Sequence, residues 1–342
     1  MPPVTQKQIA DELGLSPQAV NFALGHRYKM VSPATRQKVM ETAERLGYRT
    51  NSAAKAISLG RFNSIGLLMG LHKHRSTLFD DFLYGLHQVL DEQGIHITLT
   101  FADDETLNDE GRVPKILGEQ MVDGLLINYT HNFPKRMERL ITRYKLPAIW
   151  VNSRHKSNCV YIDDESAAKE ATQRLIELGH RRILFSDITM RMEDDGSTPH
   201  YSHADRYAGY SAAMEEAGLV PRLFSPEPKA VGACGVERVI KELQGKDRPT
   251  AVLGYGGGTY AWTHAAYALG LKLGSDLSYV CFESFQPFAG PVIDTLLLPE
   301  EEMGRTAGRQ LMDLIDTGKR QKPQAMVPVW KKGETVGPPA SP

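Results

Sequence analysis

The hydrophobic rhythm of the chain changes near residue 62. Before that point apolar residues recur at helical spacing in short blocks. In Val4–Gly25, Ile9, Ala10 and Leu13 share one helix face, and Val20, Ala23 and Leu24 share another. Thr5, with Gln8 three residues on, spells a capping box. Gly14 sits where a sharp turn favours a residue without a Cβ. Ser16 then caps a second helix with Pro17 in its first turn. The spacing of Ala10, Gly14 and Val20 predicts two helices that cross closely, a helix-turn-helix or an ordinary helical hairpin. A third helix starts at Ser32-Pro33, with Val39, Met40, Ala43 and Leu46 on its buried face and Gly47 as its stop. Asn51 can cap a further alanine-rich segment that ends at Gly60. A helix of two to three turns is marginal alone in water, so this segment is expected to form only when something holds it.

From Ser64 strands and helices alternate. The pattern predicts strands at 64–70, 96–102, 123–129 and 147–152, with helices at 80–93, 112–121 and 134–144. A second series has strands at 159–163, 182–187, 250–256 and 277–283, and helices at 165–178, 205–217, 234–244 and 259–269. After residue 290 come a strand in DTLLL, a helix at 300–317 and a last strand at 325–330. Such alternation means parallel sheets covered by helices on both faces, and two series mean two lobes. The expected units are a three-helix head at 1–50, a linker at 51–62 and an α/β body at 63–333. The first lobe is expected at about 63–157 and 290–323, and the second at about 158–289 and 324–333. The tail at 334–342 is expected to be disordered. Ligands of such folds sit outside the carboxyl ends of the strands, here in a cleft between lobes.

The net charge of −1 hides an uneven distribution. Residues 1–62 carry nine Lys or Arg against four Asp or Glu, a net of +5. The remainder carries 31 against 37, a net of −6. A small basic head on an acidic body suits a phosphate backbone better than a membrane surface. Cys159, Cys234 and Cys281 lie far apart, with neither metal-ligand spacing nor a disulfide framework, which points to a reducing compartment. No apolar run approaches the ~20 residues of a membrane span, and MPPVTQKQ lacks the apolar stretch of a signal peptide. A cytoplasmic, nucleoid-associated location is expected.

The blocks VTQKQIADELGLSPQAV, VSPATRQKVMETAERLGYRTN, NSAAKAI, LIELGHRRI (175–183), RYAGYSAAMEEAG (206–218) and PTAVLGYGG (249–257) occur in an order and spacing that resemble the LacI/GalR (lactose-repressor) family of bacterial transcription regulators. The resemblance covers nearly the whole chain. It implies a helix-turn-helix head, a hinge helix and a two-lobed, periplasmic-binding-protein-like body. It also implies a homodimer, or a tetramer, that reads two operator half-sites about one helical turn apart.

By this resemblance Pro17, Gln18 and Phe22 face base edges. Gln18 can pair two-pronged with adenine, a discrimination of roughly 1–3 kcal/mol. Phe22 stands where the family usually has Arg; it can touch a thymine methyl or pack into the head. Asn21 replaces the usual Ser and Ala19 the usual Thr, so a different operator sequence is expected. Thr5, Ser16, Asn21, Thr35 and Asn51 are candidate phosphate contacts, and Arg27, Tyr28 and Lys29 extend the basic surface. Ala54 and Ile57 lie in the hinge, with Ile57 where the family places an apolar wedge in the minor groove.

Family effectors are mostly sugars, with purines and nucleosides as exceptions. Arg206 matches the ligand-contacting Arg of the family. His72, His74, Arg75 and Phe79 follow the first strand and face the cleft by resemblance. Trp150 and Asn152 stand at a strand's carboxyl end. The Asn-Asp pair usual after the PTAVF block is replaced by Gly256-Gly257-Gly258-Thr259, which leaves Thr259 as the candidate. Glu283 stands where the family often has Asp. The polar segment 188–204 suits a lid or a dimer contact. No cofactor and no metal site is expected. An enzyme is the competing class, but Thr259 breaks a dinucleotide fingerprint at Gly254 and Gly209-Tyr-Ser211 lacks the second Gly of a nucleophile elbow. An exported sugar-binding protein would share the body but not the head.

Overall fold

A computed structural model describes residues 3–25, 27–51, 55–56, 60–71, 80–130, 133–187, 200–225, 234–282 and 290–340, with the side chains of all but Asp104 and Cys234. The chain divides into two compact units, Met1–Phe62 and Asn63–Pro342.

The first unit is built by local signals. Helix α1 spans Gln6–Leu13, α2 Pro17–Leu24 and α3 Pro33–Leu46. At α1 the backbone N–H of Gln8 donates to Thr5 Oγ1 at 3.3 Å, and the Thr5 N–H donates to Gln8 Oε1 at 2.8 Å. Ser16 Oγ accepts from Ala19 N at 3.1 Å, and Ser32 Oγ from Thr35 N at 3.1 Å. Each cap satisfies a backbone donor that the helix itself leaves orphaned. Gly14 ends α1 at φ 62°, a left-handed conformation that costs glycine little. Ile9, Ala10, Val20, Ala23, Val39 and Ala43 form the core, closed by Leu13, Leu15, Leu24, Val31, Leu46 and Tyr48. Met40, expected on the buried face of α3, is instead 49% exposed, because Thr42 and Ala43 turn inward in its place. Of the linker at 51–62, residues 51, 55–56 and 60–62 are described; Lys55 and Ala56 are helical, and Lys55 N donates to the Asn51 carbonyl at 3.0 Å.

The second unit holds two six-stranded sheets. The first contains β1 (Ser64–Gly70), β2 (His96–Ala102), β3 (Gly124–Asn128), β4 (Ala148–Val151), β5 (Cys159–Ile162) and β11 (Gln324–Met326), in the order β11-β5-β4-β3-β1-β2. The second contains β6 (Ile183–Ser186), β7 (Leu223–Phe224), β8 (Ala251–Tyr255), β9 (Ser278–Phe282), β10 (Asp294–Leu297) and β12 (Val329–Lys331), in the order β12-β10-β9-β8-β6-β7. All pairings are parallel except that of β10 with β12. The central strands β1, β3, β8 and β9 are buried along nearly their whole length because both sheet faces are covered there. On the first sheet lie α4 (Asp80–Asp91), α5 (Asp104–Asn108), α6 (Lys115–Gly118), α7 (Lys135–Arg143) and α12 (Glu300–Thr317). On the second lie α8 (Asp164–Glu177), α9 (Tyr201–Glu216), α10 (Cys234–Gln244) and α11 (Gly256–Ala268). In each lobe one helix pair crosses at glycine: a Cβ on Gly85 would collide with the Glu301 carbonyl, and one on Gly209 with the Glu165 carbonyl.

The lobe boundaries differ from the expected ones. The strand Cys159–Ile162 belongs to the first sheet, pairing with β4, and the chain crosses over only after it. The strand Asp294–Leu297 belongs to the second sheet. The single last strand expected at 325–330 is two short strands, β11 in the first sheet and β12 in the second. Helix α6 is shorter than the predicted 112–121, α9 and α11 each start a turn earlier, and α5 and β7 were not anticipated.

The tail is a further correction. Residues 334–340 are described, and Thr335 is fully buried. The backbone N–H groups of Thr335 and Val336 donate to Asp294 Oδ2 at 3.0 and 3.1 Å, and Trp330 Nε1 donates to Asp294 Oδ1 at 3.0 Å. Gly337 O accepts from Ser278 Oγ at 3.0 Å and faces His180 Nε2 at 2.8 Å. A buried carboxylate needs donors, and the tail supplies them.

Candidate functional site

In the head, Ser16, Pro17, Gln18 and Asn21 are exposed on the first turns of α2, opposite the buried Val20 and Ala23. Thr5, Arg27, Tyr28, Lys29 and Asn51 are also exposed. The Arg36 guanidinium lies 4.0 Å over the Tyr28 ring, which fixes that aromatic beside the basic loop. Thr35 is half-buried, with Oγ1 2.8 Å from Ser32 Oγ, so its hydroxyl serves the α3 cap. Phe22 is half-buried and stands outside the head's core cluster. Ala54 and Ile57 lie outside the described residues.

In the body, the carboxyl ends of the second sheet's strands gather a polar cluster beneath aromatic rings. Arg206 on α9 is 6% exposed, and its Nε donates to Asp164 Oδ1 at 2.6 Å. Asp164 opens α8 and is itself buried. Burial pushes the Asp164 carboxyl up from its ordinary range, against the pull of the Arg206 charge. Burial alone would lower Arg206, but Asp164 and the neighbouring tyrosines hold it above its ordinary value. The guanidinium lies 4.7 Å from the Tyr255 ring centre and 4.2 Å from that of Phe282, at the ends of β8 and β9. The Tyr255 hydroxyl is buried beside Arg206 without a hydrogen bond of ordinary geometry, and burial raises its pKa. One turn back along α9, His203 Nδ1 meets Asp187 Oδ2 at 2.6 Å, and the His203 ring stacks on Tyr255 at 5.1 Å.

The first turn of α9 also clasps the first lobe. His200 Nε2 lies 2.9 Å from the Asn152 carbonyl oxygen. The Tyr201 hydroxyl accepts from Ile162 N at 3.0 Å and donates to Asn152 Oδ1 at 3.4 Å. Arg154 pairs with Asp205 and lies over the rings of Tyr161 and Tyr201. Asn152 adopts φ 54°, a left-handed conformation that asparagine tolerates better than most residues. One helix thus carries both the buried Arg206 cluster and the crossover between sheets.

Of the expected effector residues, Arg206 and Asn152 fall on this helix and its clasp. Trp150 is half-buried in the first lobe, stacked on His155 at 4.2 Å and met edge-on by Phe133. Thr259 Oγ1 lies 3.3 Å from the Tyr279 hydroxyl. His72, His74, Arg75, Phe79, Glu283 and most of the 188–204 segment lie outside the described residues. Sequence reasoning missed Asp164, Asp187, His203, Tyr255 and Phe282. Two signals could have found some of them. Asp187 and Tyr255 end buried strand runs, and His203 stands three residues before Arg206 on the same helix face. Among the described residues no group of three or more His, Cys, Asp or Glu is placed to hold a metal, and no described helix is long and apolar enough to cross a membrane.

A helix-turn-helix head with an exposed second helix, followed by a two-lobed body with a polar cluster at its strand ends, defines a sensor-coupled DNA-binding protein. Residues 172–336 match the periplasmic binding protein-like domain. The chain is 27% identical to catabolite control protein A of Priestia megaterium over 90% of this chain and 91% of that one. It is 25% identical to the HTH-type transcriptional repressor PurR of Escherichia coli O139:H28, over 94% and 93%. Among solved structures, a lac repressor dimer bound to operator and the anti-inducer ONPF superposes with a TM-score of 0.76 at 20% identity, covering 98% of this chain and all of that one. A complex of the transcriptional regulator CelR with cellobiose gives 0.62 at 21%, covering 97% and 99%. The curated relatives that match nine-tenths of the chain are transcription regulators, and the fold is that of the lac repressor.

Proposed function

We propose that the protein is a ligand-responsive transcriptional repressor that binds a palindromic operator as a homodimer in the cytoplasm. A small molecule, a sugar or sugar derivative, binds between the lobes and changes operator affinity. The observation that carries the DNA reading is the exposed row Ser16, Pro17, Gln18 and Asn21 on a helix whose opposite face is locked into the head's core. Such a row can enter a major groove with no rearrangement of the head. Lac repressor bound to operator, and CelR bound to cellobiose, support the two halves of the proposal by kinship.

The α9 clasp supports a route between sites. A ligand that touches Arg206 moves or fixes the helix whose first turn holds Asn152, Arg154 and Ile162 of the first lobe. A change in lobe angle then alters the pairing of the hinge segments. A coupling of about 1–3 kcal/mol corresponds to a five- to 150-fold change in operator affinity.

Selection of bound fragments from random duplexes, followed by a gel shift with salt titration, tests the DNA half. Binding should weaken steeply with salt as phosphate contacts are screened. Gln18→Ala should cost roughly 1–3 kcal/mol at one adenine-bearing position and leave other positions unaffected. The absence of any salt-sensitive duplex binding would sink the regulator reading.

A further inference from the structure

We propose that Arg154 and Asp205 form an ionic latch between the lobes, and that opening it changes operator affinity with no effector bound. This rests on the reading that lobe angle controls the hinge segments; the latch regulates that same switch.

Arg154 reaches out of a loop that is tied to its own lobe. The loop at 152–158 joins β4 to β5, and Asn152 and Asn158 bracket it, both at φ 54°. Asn158 N donates to the Gln321 carbonyl at 2.9 Å, and Gln321 N donates back to Asn158 Oδ1 at 2.7 Å. The His155 backbone makes two contacts with Cys159 Sγ, at 3.3 and 3.2 Å, and its ring stacks on Trp150. The loop therefore moves with the first lobe and takes Arg154 with it. The Arg154 guanidinium pairs with Asp205 on α9, in the second lobe. Among the described residues this is the one ion pair that joins the lobes; the others fall within the head or within a single lobe.

An ion pair in open solvent contributes little. Two features set this one apart. The Asp205 side chain is only 15% exposed, so the pair is partly withdrawn from water. The Arg154 guanidinium also lies 5.3 Å from the Tyr161 ring centre and 5.4 Å from that of Tyr201, within reach of a cation–π attraction to each. Tyr161 belongs to β5 and Tyr201 to α9, and their rings meet nearly edge-on, 6.4 Å apart. The cation thus sits on a seam made by both lobes. Charge balance holds it there. Asp163 and Glu165, at the start of α8, press on Asp205 with like charge, and Arg206 is already matched by Asp164. Parting the lobes would leave Asp205 beside two acids without its cation. The neutral contacts of His200 with Asn152 and of Tyr201 with Ile162 lose less, because water replaces a neutral hydrogen bond at small net cost. Asp205 precedes Arg206 on α9, so a shift of that helix at either residue is felt at the other. Arg154 and Asp205 act through α9 and are positioning residues.

The test compares the effector-free full chain with Arg154→Asp, Asp205→Arg and the double variant, by hydrogen exchange and by titration with a selected duplex. Exchange should rise in both single variants at Ile162 and in the first turn of α9, and fall back in the double variant. Protection in β3 and β8 should stay unchanged, which reports that both lobes are folded. Arg154→Ala, at a side chain 44% exposed, supplies a milder opening. Operator affinity should change about fivefold or more in each single variant, in the same direction, and return to within about twofold in the double variant. A general charge effect predicts opposite signs, because a more negative body weakens DNA binding and a more positive one strengthens it. Opposite signs, unchanged exchange in the single variants, or no recovery in the double variant each overturns the proposal. Exchange that rises and recovers while operator affinity never moves overturns the latch's role and the lobe-angle reading together. A wild type that binds no duplex sinks the regulator reading instead, and the exchange measurements then decide the latch alone.

Discussion

The exposed row on α2 of the head and the Arg206 cluster of the body are built on opposite principles. Gln18 and Asn21 are exposed and owe their position to one short helix, capped by the residue just before it. Arg206 and Asp164 are buried, and they meet because two helices 42 residues apart in sequence pack side by side. The first arrangement holds its functional side chains free of the fold's energetics. The second makes the functional groups part of the core. Exposed residues such as Gln18 and Asn21 can therefore vary at little cost to the fold, whereas a change in the body's cluster has to preserve its charge balance.

That contrast can be broken at either end. The largest effect is expected for Asp164→Ala. It strands the buried Arg206 charge, and removing one partner of a buried pair costs about 3–5 kcal/mol. The thermal transition of the body should fall sharply while that of the head stays in place, read by scanning calorimetry. A loss below about 1 kcal/mol would mean the pair is solvated. Ser16→Ala should do the reverse on a smaller scale. It removes the acceptor for Ala19 N and should lower the head's transition by about 1 kcal/mol without moving the body's. The third effect is modest and pH-dependent. Burial holds His180 below its ordinary value, with the Gly337 carbonyl opposing it, and His155 is lowered likewise by burial. The folded body keeps both neutral, so their contribution is intact above about pH 6.5 and is lost as acid protonates the unfolded chain first. The body's melting temperature should therefore fall between pH 7 and pH 5, and His180→Gln should flatten the slope. Asp164, raised by burial, acts in the opposite sense, so wild type and variant are compared at each pH.

The same contrast explains what could be read in the sequence. Thr5, Ser16 and Ser32 cap the helices they were expected to cap, because capping is decided within four residues. The order of strands and helices in the body was legible from period and punctuation. Which sheet a strand joins was not. Cys159–Ile162 and Asp294–Leu297 are both short, largely buried strands, and nothing local in either distinguishes the two sheets. His203 and Asp187 escaped notice for a related reason: a hydrogen bond across 16 residues depends on where α9 lies against β6. The tail misled by composition. Its prolines and glycines look unstructured, yet Asp294, 41 residues earlier, makes Thr335 a buried anchor.

The late crossings of the chain have a consequence for how the protein is made. Strands β11 and β12 lie at the edges of different sheets, covering β5 and β10 respectively. Until residues 324–331 are synthesised, both sheets present an unpaired parallel strand, the kind of edge that recruits other chains. The head meanwhile needs nothing beyond residue 62 to close its core. A nascent chain would thus carry a finished DNA-binding module while both halves of its sensor remain open. The interval before the last strands arrive is when the protein is most exposed to misassembly and to capture by chaperones.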